Sequence, residues 1–573
     1  MRTMSEVLPR SWKEGRGKEA WIQRLSLLLL IVALFIAILA PLLTLFSKAF
    51  VNAKGQYIGL ANFTTYFETG AFVQSLQNTS FVSFTTACIS VLLALVFAFA
   101  LTRTGIRGKR IFKSIAMLPL FAPTMMHGIG LTYLFGHQGL ITTGFFGHLP
   151  FSWNVELYGP FGIIVSEVIY TFPQAYLILL VSLAFADQQL YEAAEMLGAS
   201  RIKSFLTVTI PNIKYGLISS FFVCFTLSFT DFGAPKVVGG QYNVLATDIY
   251  KQVIGQQNMS MGAAVGIILT IPAILAFIVD RIVERKQKST MNAKSMPYRI
   301  RPHKMRDALL FIFCCLVSAA ITLLILTVFA AAFIKTWPYQ MSFTWAHFNF
   351  SQTAGEGLQP FWTSIQVAAW TACVGTVATF IGAYLLEKIN GYKLLRQIGY
   401  FLSILPLALP GLALGLAYIF FFNQPSNPLH GLYGTIWILV LVNLAHFYSV
   451  AFITATSALK KLDAEIEMAS LSLGVPFYKT FYRITVPICL PAILEMGMYY
   501  FINSMVTVSA VMFLYAADLK LAPISIVNME DAGDIAPAAA MSLLIVLTNM
   551  AVRMIYELAT RQIRKKSSAW QNR

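Results

Sequence analysis

The chain has 573 residues, of which 57% are hydrophobic and only 12% charged, where a soluble globular protein carries about 25% charge. So few charges cannot cover that much apolar surface in water, and a disordered chain is far more polar; lipid is therefore the solvent for most of this sequence. The net charge of +17 admits a nucleic acid or a membrane surface as partner, and the placement of the basic residues decides between them.

A membrane helix needs about 20 predominantly apolar residues. On that criterion spans are predicted at 25–46, 79–102, 112–135, 160–183, 214–230, 262–280, 307–333, 362–386, 397–422, 432–455, 490–512 and 536–556. The first follows the basic residues Arg2, Arg10, Lys13, Arg16, Lys18 and Arg24 and is too long for a signal-peptide core, so it reads as an uncleaved anchor. Polar residues such as Asp231, Asn503 and Thr507 interrupt or edge the later spans of each half. Twelve spans place both termini on one side. Alternate loops starting from the N-terminus hold 36 Lys and Arg, against 6 in the other set. By the positive-inside rule the termini are cytoplasmic, and the basic excess is explained without nucleic acid. The expected fold is an all-α polytopic membrane protein. Its expected parts are a cytoplasmic segment 1–24, a first six-span unit 25–280, a basic cytoplasmic linker 281–306, a second six-span unit 307–556 and a cytoplasmic tail 557–573.

The two halves repeat. Glu192-Ala193-Ala194, Gly198, Lys203, Phe205, Thr209 and Pro211 are matched by Met468-Ala469-Ser470, Gly474, Lys479, Phe481, Thr485 and Pro487, each displaced by 276 positions. Asp187 and Asp463 obey the same offset, and Leu118-Pro119-Leu120 matches Leu405-Pro406-Leu407 at 287. Glycine, lysine and proline in a polar loop are not dictated by hydropathy, so the match indicates a duplicated six-span unit. Such repeats occur in transporters, with the transport path at their interface.

Each repeated loop falls between the fourth and fifth spans of its half, on the predicted cytoplasmic side. Asp187 and Asp463 suit helix N-caps, a short helix follows, and Gly198 or Gly474 can take the left-handed conformation that ends it. Pro476 suits the first turn of a second short helix. Phe205 and Val208, like Phe481 and Ile484, then fall on one face, and Pro211 or Pro487 marks entry to the next span. The product is a helix–glycine–helix elbow, small enough to enter a cleft on another protein. Short interfacial helices are common in such loops, but that does not explain the same spacing twice.

At these residues the chain resembles the EAA loop of binding-protein-dependent ABC importer permeases. The first copy fits fully through Glu192, Ala193, Ala194, Gly198, Val208, Ile210 and Pro211. The second keeps Ala469, Gly474, Ile484, Val486 and Pro487, but Met468 replaces the leading acid and Glu467 precedes it by one residue. The resemblance covers nearly the whole chain as two MetI-like six-span units in one polypeptide, similar to the ferric-iron, thiamine and 2-aminoethylphosphonate permeases. The stretches Thr230–Lys236 and Tyr242–Asp248 most resemble the aminoethylphosphonate type. The resemblance implies a multi-pass permease of the bacterial inner membrane that imports 2-aminoethylphosphonate or a related phosphonate, with ferric iron or thiamine as the alternative. It also implies an extracytoplasmic substrate-binding protein and two copies of a cytoplasmic ATPase, which would bind ATP and Mg and receive the elbows. ATPase-coupling residues would then be Glu192, Ala193, Ala194, Gly198, Pro211, Glu467, Ala469, Gly474 and Pro487.

The chain has no Gly-x4-Gly-Lys-Ser/Thr phosphate loop; Gly105–Arg110 is only a basic turn, so the energy must come from a partner or an ion gradient. The six cysteines sit in apolar runs without a Cys-x2-Cys spacing, and the seven histidines show no close pairing. No nucleophile, metal or cofactor site is expected, and the chain is not expected to be an enzyme. Gly411-x3-Gly415 suits close helix packing. Asp231, aligned with Thr507, is a candidate for the substrate path or its gate, because acids at membrane depth are rare; Lys236 is either part of that path or simply a neutralising partner. The competing reading is an ion-driven secondary transporter of the major-facilitator type. It also has six plus six spans, but the loop 103–110 lacks the acid of that family's motif and the elbows would go unexplained.

Overall fold

The computed structural model describes residues 10–571 apart from 53, 148–154, 185–187, 289–297, 299, 301, 352–356, 390–391, 463–464, 466–468, 471 and 517. Asp187, Asp463 and Glu467 therefore lie outside the described residues. In chain order the helices are α1 (Trp21–Ala49), α2 (Ala61–Glu68), α3 (Ala71–Arg103), α4 (Lys109–Phe121), α5 (Thr124–Phe135), α6 (Pro160–Ala184), α7 (Gln188–Met196), α8 (Arg201–Thr230), α9 (Gly233–Val238), α10 (Leu245–Tyr250), α11 (Met259–Val283) and α12 (Lys304–Phe333). They continue with α13 (Gln359–Lys388), α14 (Lys393–Ala408), α15 (Gly411–Phe422), α16 (Ile436–Lys460), α17 (Phe477–Val506), α18 (Ala522–Asp531) and α19 (Ile535–Arg561). A short antiparallel hairpin, β1 (Ile334–Thr336) and β2 (Gln340–Phe343), follows α12.

Ten of these helices are long and apolar enough to cross a membrane. The third and ninth predicted spans are not straight runs. Each is a broken pair, α4 with α5 bent by 105° and α14 with α15 bent by 117°. Proline causes both breaks. Pro123 and Pro410 lack an N–H, their rings clash with a helical carbonyl one turn back, and they hold the preceding Ala122 and Leu409 extended. The Leu-Pro-Leu repeat forms the 3-10 turn leading into each break. The eleventh span also differs from expectation: its helix starts at Phe477 and ends at Val506, because the chain leaves the helix at Thr507.

The duplication is exact in length where the sequence repeat is gapless. α6 and α16 each have 25 residues, and α5 and α15 each have 12. The two units are interlocked by their first helices. α1 lies against α14 and α15 of the second half, and α12 lies against α5 of the first. Tyr418 in α15 donates a hydrogen bond to the Ala37 carbonyl at 2.6 Å, and Gly130 in α5 lets Leu324 and Val328 of α12 approach so closely that a methyl would clash. The buried apolar core runs through both halves. Gly415 performs the close packing expected of it, against the Ala510 backbone carbonyl.

Candidate functional sites: two elbows and a polar cluster

The elbows are built alike. Gly198 and Gly474 have φ of 71° and 68°, the left-handed conformation that a side chain resists. Beyond them Ala199 donates to the Ala194 carbonyl and Val475 to the Ser470 carbonyl, both at 3.0 Å. This six-to-one bond satisfies an orphan carbonyl at the helix end. Pro476 sits immediately before its short helix rather than in its first turn. Then Phe205–Thr209 and Phe481–Thr485 each form a π turn, closed by Ile210 N–H to Phe205 and Val486 N–H to Phe481. The wide turn accommodates Pro211 and Pro487, which cannot donate the next bond. Phe205 packs on Phe99 of α3 and Phe481 on Tyr384 of α13, with centroids 5.5 and 4.6 Å apart.

While these aromatics anchor each elbow inward, apolar side chains stand outward at matched positions. Leu197 and Leu473 are 86% and 77% exposed, and Ile202 and Tyr478 are exposed likewise. Glu192 and Ala193 are exposed and Ala469 is also on the surface. Paired apolar knobs of this kind suit insertion into a partner. The first elbow has an additional support. Arg103 donates to the Leu183 carbonyl at 2.5 Å and stacks on Tyr298 of the linker, 4.0 Å from its centroid. Tyr298 meets Tyr191 of the elbow edge-on at 5.0 Å, and Tyr191 bonds Thr209 at 2.9 Å.

On the side away from the elbows, the structure separates two residues that the sequence offers as a neutralising pair. Lys236 is ion-paired with Asp531 of α18, not with Asp231, and Tyr250 donates to Asp531 at 3.3 Å. Burial pushes the neighbouring Glu530 carboxyl up to about 7, an effect reduced by Lys236 and reinforced by Asp531. Asp231 instead accepts the Ala234 N–H at 2.9 Å, lies beside Thr124 at the first break, and faces Glu167 of α6. Glu167 is fully buried, and neither of its oxygens has a hydrogen-bond partner of good geometry. Thr507 ends α17 as Asp231 ends α8.

Glu167 was not singled out from the sequence, although an acid in an apolar run is a signal in itself. At the 276 offset its counterpart is Asn443, equally buried and also without partners. Tyr170, Asp231, His446 and Tyr499 are half-buried and keep part of their surface accessible. Tyr170 and His446 are another repeat-related pair, one from each half. Among the described residues no group of three or more His, Cys, Asp or Glu is arranged to hold a metal.

The profile of the binding-protein-dependent transport system inner membrane component family matches residues 90–289 and again 381–565. The chain is 27% identical over 93% of its length to the ferric transport system permease protein FbpB of Actinobacillus pleuropneumoniae, covering 77% of that protein. It is 28% identical over 87% of its length to a putative ferric transport system permease protein FbpB 1 of Haemophilus influenzae, covering 78% of it. The sulfate transport system permease protein CysW of Synechocystis is 25% identical to only 46% of this chain, yet 94% of CysW is covered, so one unit here equals a whole protein there. With two family matches and two matched elbows, the secondary-transporter reading falls away, and the chain belongs to the binding-protein-dependent inner membrane components as a two-unit ABC importer permease.

Proposed function

We propose that this permease imports ferric iron, receives it from an extracytoplasmic binding protein, and is driven by two copies of a cytoplasmic ATPase docked on its elbows. Both termini are then cytoplasmic. The observation that carries this reading is the pair of matched elbows on a chain whose relatives of similar extent are named as ferric permeases. The 2-aminoethylphosphonate expectation is the weaker of the two. It rests on the resemblance of the stretches 230–236 and 242–248, and the charge pattern compatible with it loses force because Lys236 is engaged by Asp531. Acidic oxygens in the cluster suit a cation better than an oxyanion.

The test is transport by the assembled system. The permease, its ATPase and its binding protein are reconstituted in proteoliposomes and supplied with radioactive ferric iron or labelled 2-aminoethylphosphonate. ATP-dependent iron uptake is expected. Phosphonate uptake without iron uptake would reverse the assignment, and uptake without any ATPase would remove the coupling role of the elbows.

A further inference from the structure

We propose that Glu167 and Asp231, with the phenols of Tyr170 and Tyr499, form a transit site for a hard trivalent cation inside the membrane. This rests on the ferric reading above and adds to it the place where the cargo pauses.

Burying a carboxyl without a counter-charge is costly, and the side chain that buried Glu167 faces is another acid, Asp231. Among the described residues no Lys or Arg lies against either acid, since Lys236 is held by Asp531. A bound cation would supply what is missing. The nearby donors are carboxylate and phenol oxygens, the kind that favours hard metal ions over soft ones. Asp231, Tyr170 and Tyr499 keep part of their surface accessible, so these donors are not sealed from an ion. A second buried oxygen, Ser228 Oγ, has no partner and precedes Asp231 by three residues, which brings it to the same side of α8.

The wall contributed by the other half is neutral. Asn443 stands where Glu167 does and Thr507 where Asp231 does, while Tyr170 is matched by His446. Both charged ligands therefore come from the first half, and the second half adds only the neutral phenol of Tyr499. Two charged ligands, with only neutral donors beside them, suit an ion that must leave, since conduction requires binding strong enough to enter and weak enough to release.

The alternative for the same geometry is a purely structural pair in which a protonated Glu167 donates to Asp231. Glu167→Gln separates the two, because glutamine keeps the size and can still donate to Asp231 but cannot carry charge. In proteoliposomes holding the whole importer, two rates are read: ferric iron uptake, and ATP hydrolysis stimulated by the iron-loaded binding protein. Glu167→Gln and Asp231→Asn are each expected to lower uptake at least tenfold while stimulated hydrolysis stays within twofold of wild type. Glu167→Asp, which restores the charge on a shorter arm, is expected to recover a substantial part of the uptake. Uptake within twofold of wild type in both neutral variants overturns the site. An equal fall of uptake and hydrolysis, unrelieved by Glu167→Asp, also overturns it, as the mark of a structural acid. If the wild-type importer moves no iron at all, the ferric reading itself has failed; if it moves iron and the neutral variants do too, only the transit site has.

Discussion

Lys236 in the first half is ion-paired with Asp531 in the second, on the face of the molecule opposite the elbows. The bond ties α9 to α18, each of which follows the fifth span of its unit, so it is placed to resist separation of the halves at that end. Its side chains are 19% and 42% exposed, and a partly exposed pair contributes about 0.5–1 kcal/mol. A double-mutant cycle on Lys236→Gln and Asp531→Asn, read by thermal unfolding in detergent, is expected to return a coupling of that size. The same cycle on Lys236 and Asp231 is expected to return nearly zero.

Glu530 supplies a pH dependence of known sign. Its carboxyl is raised from 4.5 to about 7 by burial, so the folded state holds this proton where the unfolded state has released it. The contribution to stability is complete below about pH 4.5, declines as pH rises toward 7, and is gone above that. Glu530→Gln should remove this slope. At pH 8 the variant is expected to be more stable than wild type by on the order of 1 kcal/mol once solvent screening is allowed for, as measured by unfolding midpoints across the pH range.

Gly198→Val and Gly474→Val place a β-branched residue at φ of 71° and 68°, which costs about 1–2 kcal/mol locally. Open space surrounds Gly198, so the penalty is conformational and the membrane core is untouched. Each variant is expected to insert and purify normally but to lose most ATPase binding and transport. Normal transport in both would sink the coupling role.

The first elbow leans on the linker through Tyr298 and Arg103. A partly desolvated cation–aromatic contact is worth about 1–2 kcal/mol. Tyr298→Ala should lower stability by about that amount and raise the protease sensitivity of the first elbow, with cleavage at the second unchanged. Equal sensitivity at both would show that the stack supports neither in particular.

The spans and the duplication were legible because hydropathy marks lipid-facing helices and a gapless offset marks a copied unit. The elbows were legible from Gly198, Gly474 and the two prolines, whose backbone demands are local. The breaks at Pro123 and Pro410 were hidden, because an apolar run reads the same whether straight or folded back. Lys236 shows the other limit. Its neighbour in the chain was Asp231, but its partner is 295 positions away, and nothing local records such a distance. Glu167 could have been found by carrying the 276 offset into the fourth spans, where it meets Asn443.

The exchange of first helices between the halves has a consequence for the order of synthesis. α1 is finished by residue 49, but α15, against which it rests, begins at residue 411. At about 5–20 residues per second, the first helix waits roughly 20–70 s in the bilayer before this second-half neighbour is made. During that wait its side chains meet lipid or a membrane chaperone where the second unit will later stand. The first unit can close α1 against α11, which begins at residue 259, but a ribosome stalled in the linker would leave behind a bundle whose leading helix lacks the α14 and α15 side of its packing.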